Sequence, residues 1–133
     1  MATIFTKIVN SEIPAYKVAE NDEFLAFLDI APVAKGHTLV IPKKEVDYIF
    51  DLSNEDYLEL HAFAKKVAEG IQKAIPCRKV GMMVLGLEVP HAHIHLVPMQ
   101  SEADLLHFSH KLKLSPEEFE IIRDKIAREI KLR

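Results

Sequence analysis

Three of the seven histidines recur at alternate positions, at His91, His93 and His95. Successive side chains on a β-strand point to opposite faces, so a strand would place the three imidazoles in a row on one face. On a helix the same spacing would rotate each imidazole by about 200° from the one before, and they would not converge. The spacing therefore predicts that residues 89–98 form a strand with a histidine face and an apolar face.

A row of neutral imidazoles is suited to two kinds of chemistry. One imidazole can attack phosphorus while its neighbours donate hydrogen bonds to phosphoryl oxygens, and crowding helps to keep the attacking ring neutral. Alternatively, three imidazoles can coordinate zinc, as in three-histidine catalytic sites. His37 begins another predicted strand and would join the row if that strand lies alongside. From spacing alone, phosphate chemistry and metal binding both remain open.

Composition restricts the class of protein. A chain of 133 residues is long enough to build a hydrophobic core, and we expect a single domain over residues 1–133. A formal net charge of -3 argues against nucleic-acid binding, which usually needs a basic face. No apolar run approaches the ~18 residues that span a bilayer, and the first residues lack the apolar segment of a signal peptide. The single cysteine, Cys77, excludes an internal disulfide and fits a reducing compartment, so we expect a cytoplasmic protein without a membrane partner.

Apolar periodicity and turn residues predict the elements that would position the row, in an α+β arrangement. The predicted strands, besides the histidine strand, are residues 17–20, 24–30, 37–42 and 80–85. Short turns between the first three favour antiparallel hairpins. The predicted helices are a short one within residues 4–13, a long amphipathic one that follows Ser53 and ends before Pro76, and a C-terminal one capped by Ser115.

Two further segments carry expectations of their own. Residues 80–85 are apolar without alternation, which is typical of a strand covered on both faces, and a second subunit is one possible source of that cover. Residues 100–113 have mixed polarity and are predicted to be a loop or tail, with no role for His107 or His110.

The stretch from His91 to Val97 alternates histidine with hydrophobic residues in the pattern of the histidine triad (HIT) superfamily. Upstream segments at residues 4–8, 12–15, 26–32 and 36–43 also resemble that family, in its order and spacing. The resemblance covers about residues 4–98 and leaves 99–133 as a C-terminal extension of the same domain. The chain is most similar to the family's branch of nucleotide-binding, phosphoramidase-like proteins.

This resemblance implies an α+β fold with a five-stranded antiparallel sheet, one long central helix and a C-terminal helix, usually as a homodimer whose sheets join. It also implies hydrolysis or transfer at the α-phosphorus of a purine nucleotide derivative such as a phosphoramidate, without a cofactor. A non-catalytic nucleotide-binding module, or a dinucleoside polyphosphate hydrolase, is the alternative. By resemblance His93 is the nucleophile that forms a nucleotidyl-histidine. His95 and His37 would hold the phosphate, and His91 would support the arrangement, partly through its backbone carbonyl.

The resemblance also assigns nucleoside contacts to an apolar set and one carboxylate. Apolar side chains would enclose the purine, and Asp29 would accept hydrogen bonds from the ribose hydroxyls. The apolar residues of this set are Phe5, Ile8, Phe27 and Ile30. The alternative interpretations are core packing for the apolar residues and an Asx turn for Asp29.

The chain departs from the family pattern in two places. The loop at residues 86–90 is short, and Glu88 stands where relatives commonly carry a serine or threonine that assists the leaving group. Glu88 and the adjacent Val89 are included in the predicted nucleotide-binding set, although a carboxylate would assist a leaving group only when protonated. Some relatives bind structural zinc at positions that hold Thr6 and Glu45 here, so no metal site is predicted.

Overall fold

The computed structural model describes residues 2–132 and contains one mixed sheet-and-helix unit. The helices are α1 (Ile4–Val9), α2 (Asn54–Ala74), α3 (Ala103–Leu106) and α4 (Pro116–Glu129), with a 3-10 turn at Ile49–Asp51. The strands are β1 (Lys17–Glu20), β2 (Phe24–Leu28), β3 (Thr38–Pro42), β4 (Lys79–Met83) and β5 (Ile94–Met99). None of the helices in this part of the chain is long and apolar enough to cross a membrane.

The five strands form one antiparallel sheet in the order β1-β2-β3-β5-β4. The first three strands are consecutive hairpin neighbours, as their short turns predict, and β5 then pairs with β3, placing Leu39 opposite His95. The predicted α+β class with a five-stranded antiparallel sheet is confirmed. This pairing explains how the beginning of β3 and the histidine stretch come to lie side by side.

The two long helices cover one face of the sheet and build the larger hydrophobic core. On β5 and just before it, Ala92, Ile94 and Leu96 are buried in that core, so the alternate residues face away from it. Helix α2 begins after Ser53, whose hydroxyl accepts the Asp56 N–H. Helix α4 begins with a complete capping box at Ser115, and its buried residues belong to the same core. The C-terminal helix is therefore part of the packing that supports the sheet.

The opposite face carries a smaller apolar cluster beneath α1. It contains Phe5, Ile8, Leu25, Phe27, Leu39 and Ile41, all buried. The histidines of the row emerge on this face of the sheet, where the rings of His91 and His93 lie beside Phe5.

Two strand predictions are wrong in part. The histidine strand begins only at Ile94, because the preceding backbone N–H groups form hydrogen bonds outside the sheet. The His91 N–H donates to the Val89 carbonyl, and the Ala92 N–H donates to the Val46 carbonyl. Similarly, β2 ends at Leu28, before the turn that Asp29 forms.

The apolar stretch at residues 80–85 contains most of the edge strand β4, and the exposure of its side chains shows that it is not covered on both faces within one chain. β4 ends at Met83, and the exposed fractions are 56% at Met82, 51% at Leu85 and 95% at Leu87. The lack of alternation thus reflects apolar side chains at a free edge of the sheet.

Candidate active site

The structure brings four histidines together along β3, from His37 just before it to its end at Pro42, and all four are buried. The ring centroids of His93 and His95 lie 4.9 Å apart, and those of His37 and His95 lie 5.2 Å apart. His91 lies at the other end of the row, with its ring against Phe5. The predicted row therefore exists, although its first two members precede the strand.

Backbone partners fix the proton positions of His91 and His93. His91 Nε2 lies 2.8 Å from the Pro42 carbonyl, which can only accept, so this nitrogen carries the proton. His93 Nδ1 lies 2.7 Å from the His91 carbonyl and must likewise donate. In neutral His93 the lone pair is then left on Nε2, which is the nitrogen required of a nucleophile.

A second pair of backbone and ring contacts fixes the tautomers of His37 and His95, which are opposite to that of His93. The Val33 N–H donates to His37 Nδ1 at 3.1 Å, so neutral His37 carries its proton on Nε2. That proton is directed to His95 Nδ1 at 3.0 Å. His95 therefore carries its own proton on Nε2, as a donor suited to a phosphoryl oxygen, whereas both nitrogens of His37 are engaged.

The rings at this end resist protonation. Burial, with a smaller contribution from neighbouring His95 and Lys111, lowers the pKa of His37 to about 3. Burial, with smaller contributions from His93 and Lys111, lowers the pKa of His95 to about 4. Burial also lowers the pKa of His91. Three of the four imidazoles are thus neutral near pH 7, consistent with the tautomers that their partners require.

A cluster of hydroxyl and carboxylate groups holds the outer edge of His91. Thr3 Oγ1 lies 2.9 Å from His91 Nδ1 and donates to it, since that nitrogen is unprotonated. Thr6 Oγ1 donates to Glu45 Oε1 at 2.6 Å, and the Thr3 N–H donates to the same oxygen at 2.9 Å. These hydrogen bonds lower the pKa of the Glu45 carboxyl. Two threonines, a glutamate and an engaged histidine are not a zinc-ligand set of the usual kind, because threonine is not a usual zinc ligand.

Asp29 lies beside the opposite end of the row and has two roles. Its Oδ1 accepts the Ala31 N–H at 2.8 Å, which is the Asx turn anticipated as the alternative interpretation. Its Oδ2 lies 3.6 Å from His37 Nε2. Burial raises the pKa of this carboxyl, while the Ala31 hydrogen bond and Lys111 act in the opposite direction.

The apolar residues predicted to contact a base lie next to the row but differ in exposure. Phe5 packs edge-on against His93 and Phe27, at 5.0 and 5.6 Å between ring centroids. Phe5, Ile8 and Phe27 are buried, and Val89 packs against their cluster. Ile30 is 71% exposed beside Asp29, where a ligand would find an open apolar surface.

Glu88 is not drawn into this arrangement. Its side chain is exposed, and it forms no hydrogen bond or ion pair with another residue of the described chain. The Glu88 carboxylate is exposed to solvent and forms no hydrogen bond or ion pair with any of the four histidines.

Residues 100–113, which we call the strap, were predicted as a loop or tail, yet they reach the site. The Phe108 ring lies edge-on to His95 at 4.9 Å and to His37 at 5.6 Å between centroids. The Lys111 ammonium lies 4.1 Å from the centre of the Phe108 ring. The sequence offered only a weak signal for these residues, an aromatic side chain and a lysine in a polar segment without periodicity.

The geometry does not favour the three-histidine metal interpretation. Both ring nitrogens of His91 are occupied, so the triad does not present three free nitrogens to one point. Asp29, His37 and His95 do bring three potential ligand atoms within 4.8 Å of one another. A cation there would have to break the hydrogen bond between the two imidazoles.

Known proteins share this sequence and fold. The family model for the HIT domain matches residues 10–102. Adenosine 5'-monophosphoramidase hnt1 of Schizosaccharomyces pombe is 36% identical over 98% of this chain and 100% of its own length. A Hit-like protein of Bartonella henselae, described as involved in cell-cycle regulation, superposes with a TM-score of 0.83 at 30% identity over 96% of each chain. A zinc-bound histidine triad protein of Mycobacterium smegmatis gives a TM-score of 0.80 at 26% identity, over 96% of this chain and 95% of that one. The chain belongs to the histidine triad (HIT) family, and among its members it is similar to the phosphoramidase-like branch.

Proposed function

We propose that the protein is a hydrolase or transferase acting at the α-phosphorus of purine nucleoside monophosphate derivatives, with phosphoramidates as the leading substrate class. Family membership supports a nucleotide-binding hydrolase. The observation that carries the proposal is the hydrogen bond from His93 Nδ1 to the His91 carbonyl, which leaves the Nε2 lone pair free for attack. The Schizosaccharomyces pombe relative is named for adenosine 5'-monophosphoramidase activity, and this name supports an adenine nucleotide as the proposed substrate here.

Each histidine then has a distinct role. His93 Nε2 forms a bond to phosphorus while the bond to the leaving group breaks, giving a nucleotidyl-histidine that water later hydrolyses. The His95 Nε2–H donates to a phosphoryl oxygen. His37, with both nitrogens engaged, acts by fixing the tautomer of His95 and so differs from the direct phosphate contact that the family resemblance implied. His91 positions His93 through its carbonyl.

The nucleoside would lie between Asp29 and the apolar cluster. A carboxylate beside the α-phosphate position can accept hydrogen bonds from both ribose hydroxyls. Ile30 supplies exposed apolar surface, whereas Phe5, Ile8 and Phe27 form the buried floor of the site. Val89 borders this cluster, and Glu88 would contact a ligand only at the solvent-exposed margin.

The direct test is turnover of adenosine 5'-phosphoramidate by the wild type and by His93→Ala. We expect the loss of the nucleophile to reduce the rate at least about a thousandfold while the fold is retained. The control is Lys65→Ala, because Lys65 lies on α2 and is exposed. Mass spectrometry of acid-quenched wild type should show a nucleotidyl group on the peptide containing His93. Unchanged turnover in His93→Ala would refute the proposal.

A non-catalytic nucleotide-binding module is the second candidate, favoured by the short 86–90 loop and the uncommitted Glu88. It predicts that AMP binds, as measured by calorimetry, but that no substrate is turned over and no modified His93 is trapped. A panel of nucleoside phosphoramidates, dinucleoside polyphosphates and nucleotide sugars separates both candidates from a dinucleoside polyphosphate hydrolase.

A homodimer is proposed from the exposed apolar face at the β4 edge. An open groove of about 490 Å³ lies there, bordered by Tyr48, Phe50 and Leu87. With Met82 and Leu85, these side chains form an apolar patch of the kind that marks protein interfaces. Light scattering should give twice the chain mass for the wild type and the chain mass for Leu87→Asp. Ile121→Asp, at an exposed position on α4, is the control, and a monomeric wild type would exclude the dimer.

Location in the cytoplasm is likewise a proposal, based on the single cysteine.

A further inference from the structure

The part of the site that contains His37 and His95 supplies no charged imidazole, although it is proposed to bind an anion. His37 and His95 have pKa values of about 3 and 4, so both are neutral near pH 7. The Asp29 carboxylate lies 3.6 Å from His37 and would repel a phosphate. The short loop before the row contributes Glu88 and no cationic side chain. A negatively charged substrate therefore needs a cation from another part of the chain.

The strap brings such a cation to the site. Phe108 contacts the rings of both His37 and His95, and the Lys111 ammonium lies over the same phenyl ring. The lysines just before and just after β3 are paired, Lys35 with Glu118 and Lys43 with Glu20. Within residues 2–132, Lys111 has no carboxylate within ion-pair distance.

The strap is anchored on both sides of Phe108, so this placement has a structural cause. At the start of the strap, Gln100 Nε2 donates to the Pro76 carbonyl at 2.9 Å, in the segment before β4. After Phe108, the Leu112 N–H donates to the Pro32 carbonyl at 2.7 Å, in the loop between β2 and β3. The strap is therefore tied both to the segment before β4 and to the loop that precedes His37.

We propose that Lys111 is a substrate-binding residue that contacts the phosphoryl group of the nucleotide, held in position by Phe108 and the anchored strap. The proposal rests on the proposed function, since it names the group that neutralises the phosphate of that substrate. The positive charge of Lys111 would offset the negative charges of Asp29 and of the phosphate, which the neutral histidines do not offset. Burial is the largest cause of the pKa shift of Asp29, His37 and His95, and the charge of Lys111 makes a smaller contribution that lowers the pKa at all three.

The test compares two ligands that differ only in the phosphate. We expect Lys111→Met to weaken AMP binding about tenfold, as for the loss of one charge-assisted hydrogen bond, and to leave adenosine binding unchanged. Calorimetry on the His93→Ala background removes turnover from the measurement. Lys113→Met, two residues along the same exposed strap, is the matched control and should bind both ligands normally. Lys111→Arg should retain most of the AMP affinity.

Equal affinity of Lys111→Met and wild type for AMP would overturn the proposal, as would equal loss for AMP and adenosine. Failure of the proposed function has a different signature, namely wild type that neither binds AMP nor turns over any nucleotide of the panel. In that case ³¹P line broadening of inorganic phosphate decides: broadening lost in Lys111→Met but kept in Lys113→Met supports a phosphate-binding lysine. Broadening that is identical in the two variants, or absent from the wild type, refutes it.

Discussion

At the His91 end of the histidine row, both ring nitrogens bond to the protein itself, whereas at the His95 end one ring nitrogen is left for a ligand. His91 is held by Pro42 and Thr3, and Thr3 is part of a cluster with Thr6 and Glu45. His95 receives a hydrogen bond from His37 and has Phe108 beside it. The same residue type is therefore held at both ring nitrogens at one end and leaves one N–H donor without a protein partner at the other.

The difference shows how backbone groups assign roles to chemically identical side chains. A carbonyl can only accept and an N–H can only donate, so the contacts of Pro42 and Val33 place the proton on Nε2 in both His91 and His37. His93 lies between the ends and is set by the His91 carbonyl, which places its proton on Nδ1. His93 therefore differs from its neighbours in tautomer, and its Nε2 keeps the lone pair.

The largest expected contrast is in stability between His91→Ala and His93→Ala. Removing the His91 ring leaves the buried Pro42 carbonyl and the Thr3 hydroxyl without their partner and opens a cavity, which should cost about 2–4 kcal/mol of unfolding free energy. Removing the His93 ring takes away a hydrogen-bond donor whose acceptor is a single carbonyl, and should cost less than half as much. Urea denaturation of the two variants measures both values. Equal losses of unfolding free energy would mean that the protein holds the His91 ring no more firmly than the His93 ring.

The next contrast concerns pH. His37 and His95 have folded-state pKa values of about 3 and 4, below the ~6.5 of an unfolded histidine. Between those values the unfolded chain binds protons that the folded chain does not, so stability is complete above pH 6.5 and falls as the pH decreases. Each histidine should contribute a slope approaching about 1.4 kcal/mol per pH unit.

Urea denaturation at pH 7, 6 and 5 measures that slope. His37→Asn removes one of the two titrating groups and should reduce the slope by roughly one histidine's share, whatever the absolute stability of the variant. A wild type whose stability is constant from pH 7 to pH 5 would contradict the neutral state of this end of the row.

Residue patterns predicted the parts of the molecule that depend on local geometry. Period-two spacing placed His93 and His95 on one face because side-chain alternation is a property of extended backbone, and Ser115 marked the start of α4 because capping involves neighbouring residues. The resemblance to HIT proteins brought His37 into the cluster, and the pairing of β3 with β5 gives the physical reason.

The remaining features depend on contacts between distant parts of the chain. His91 leaves the strand because Ala92 bonds to Val46, a partner that no local pattern identifies. Phe108 reaches His95 because the strap is tied to Pro32, nearly eighty positions away in sequence from Leu112. Such contacts carry no periodicity, so a loop was the only prediction that the strap's polarity allowed.

The smallest expected effect comes from the cluster that supports His91. Glu45→Gln replaces an exposed carboxylate that accepts from Thr6 and from the Thr3 backbone by an amide that accepts more weakly, so the loss of stability should be small. Because Thr6 also lies 3.4 Å from His91 Nδ1, a freed Thr6 hydroxyl would compete with Thr3 for that nitrogen. We therefore expect kcat to fall a few-fold with KM unchanged, since Glu45 positions a histidine and touches no substrate.

The ¹⁵N chemical shifts of His91 should still report a proton on Nε2, and Glu45→Asp should recover part of the loss. A rise in KM with kcat unchanged would instead place this end of the row among the groups that bind substrate.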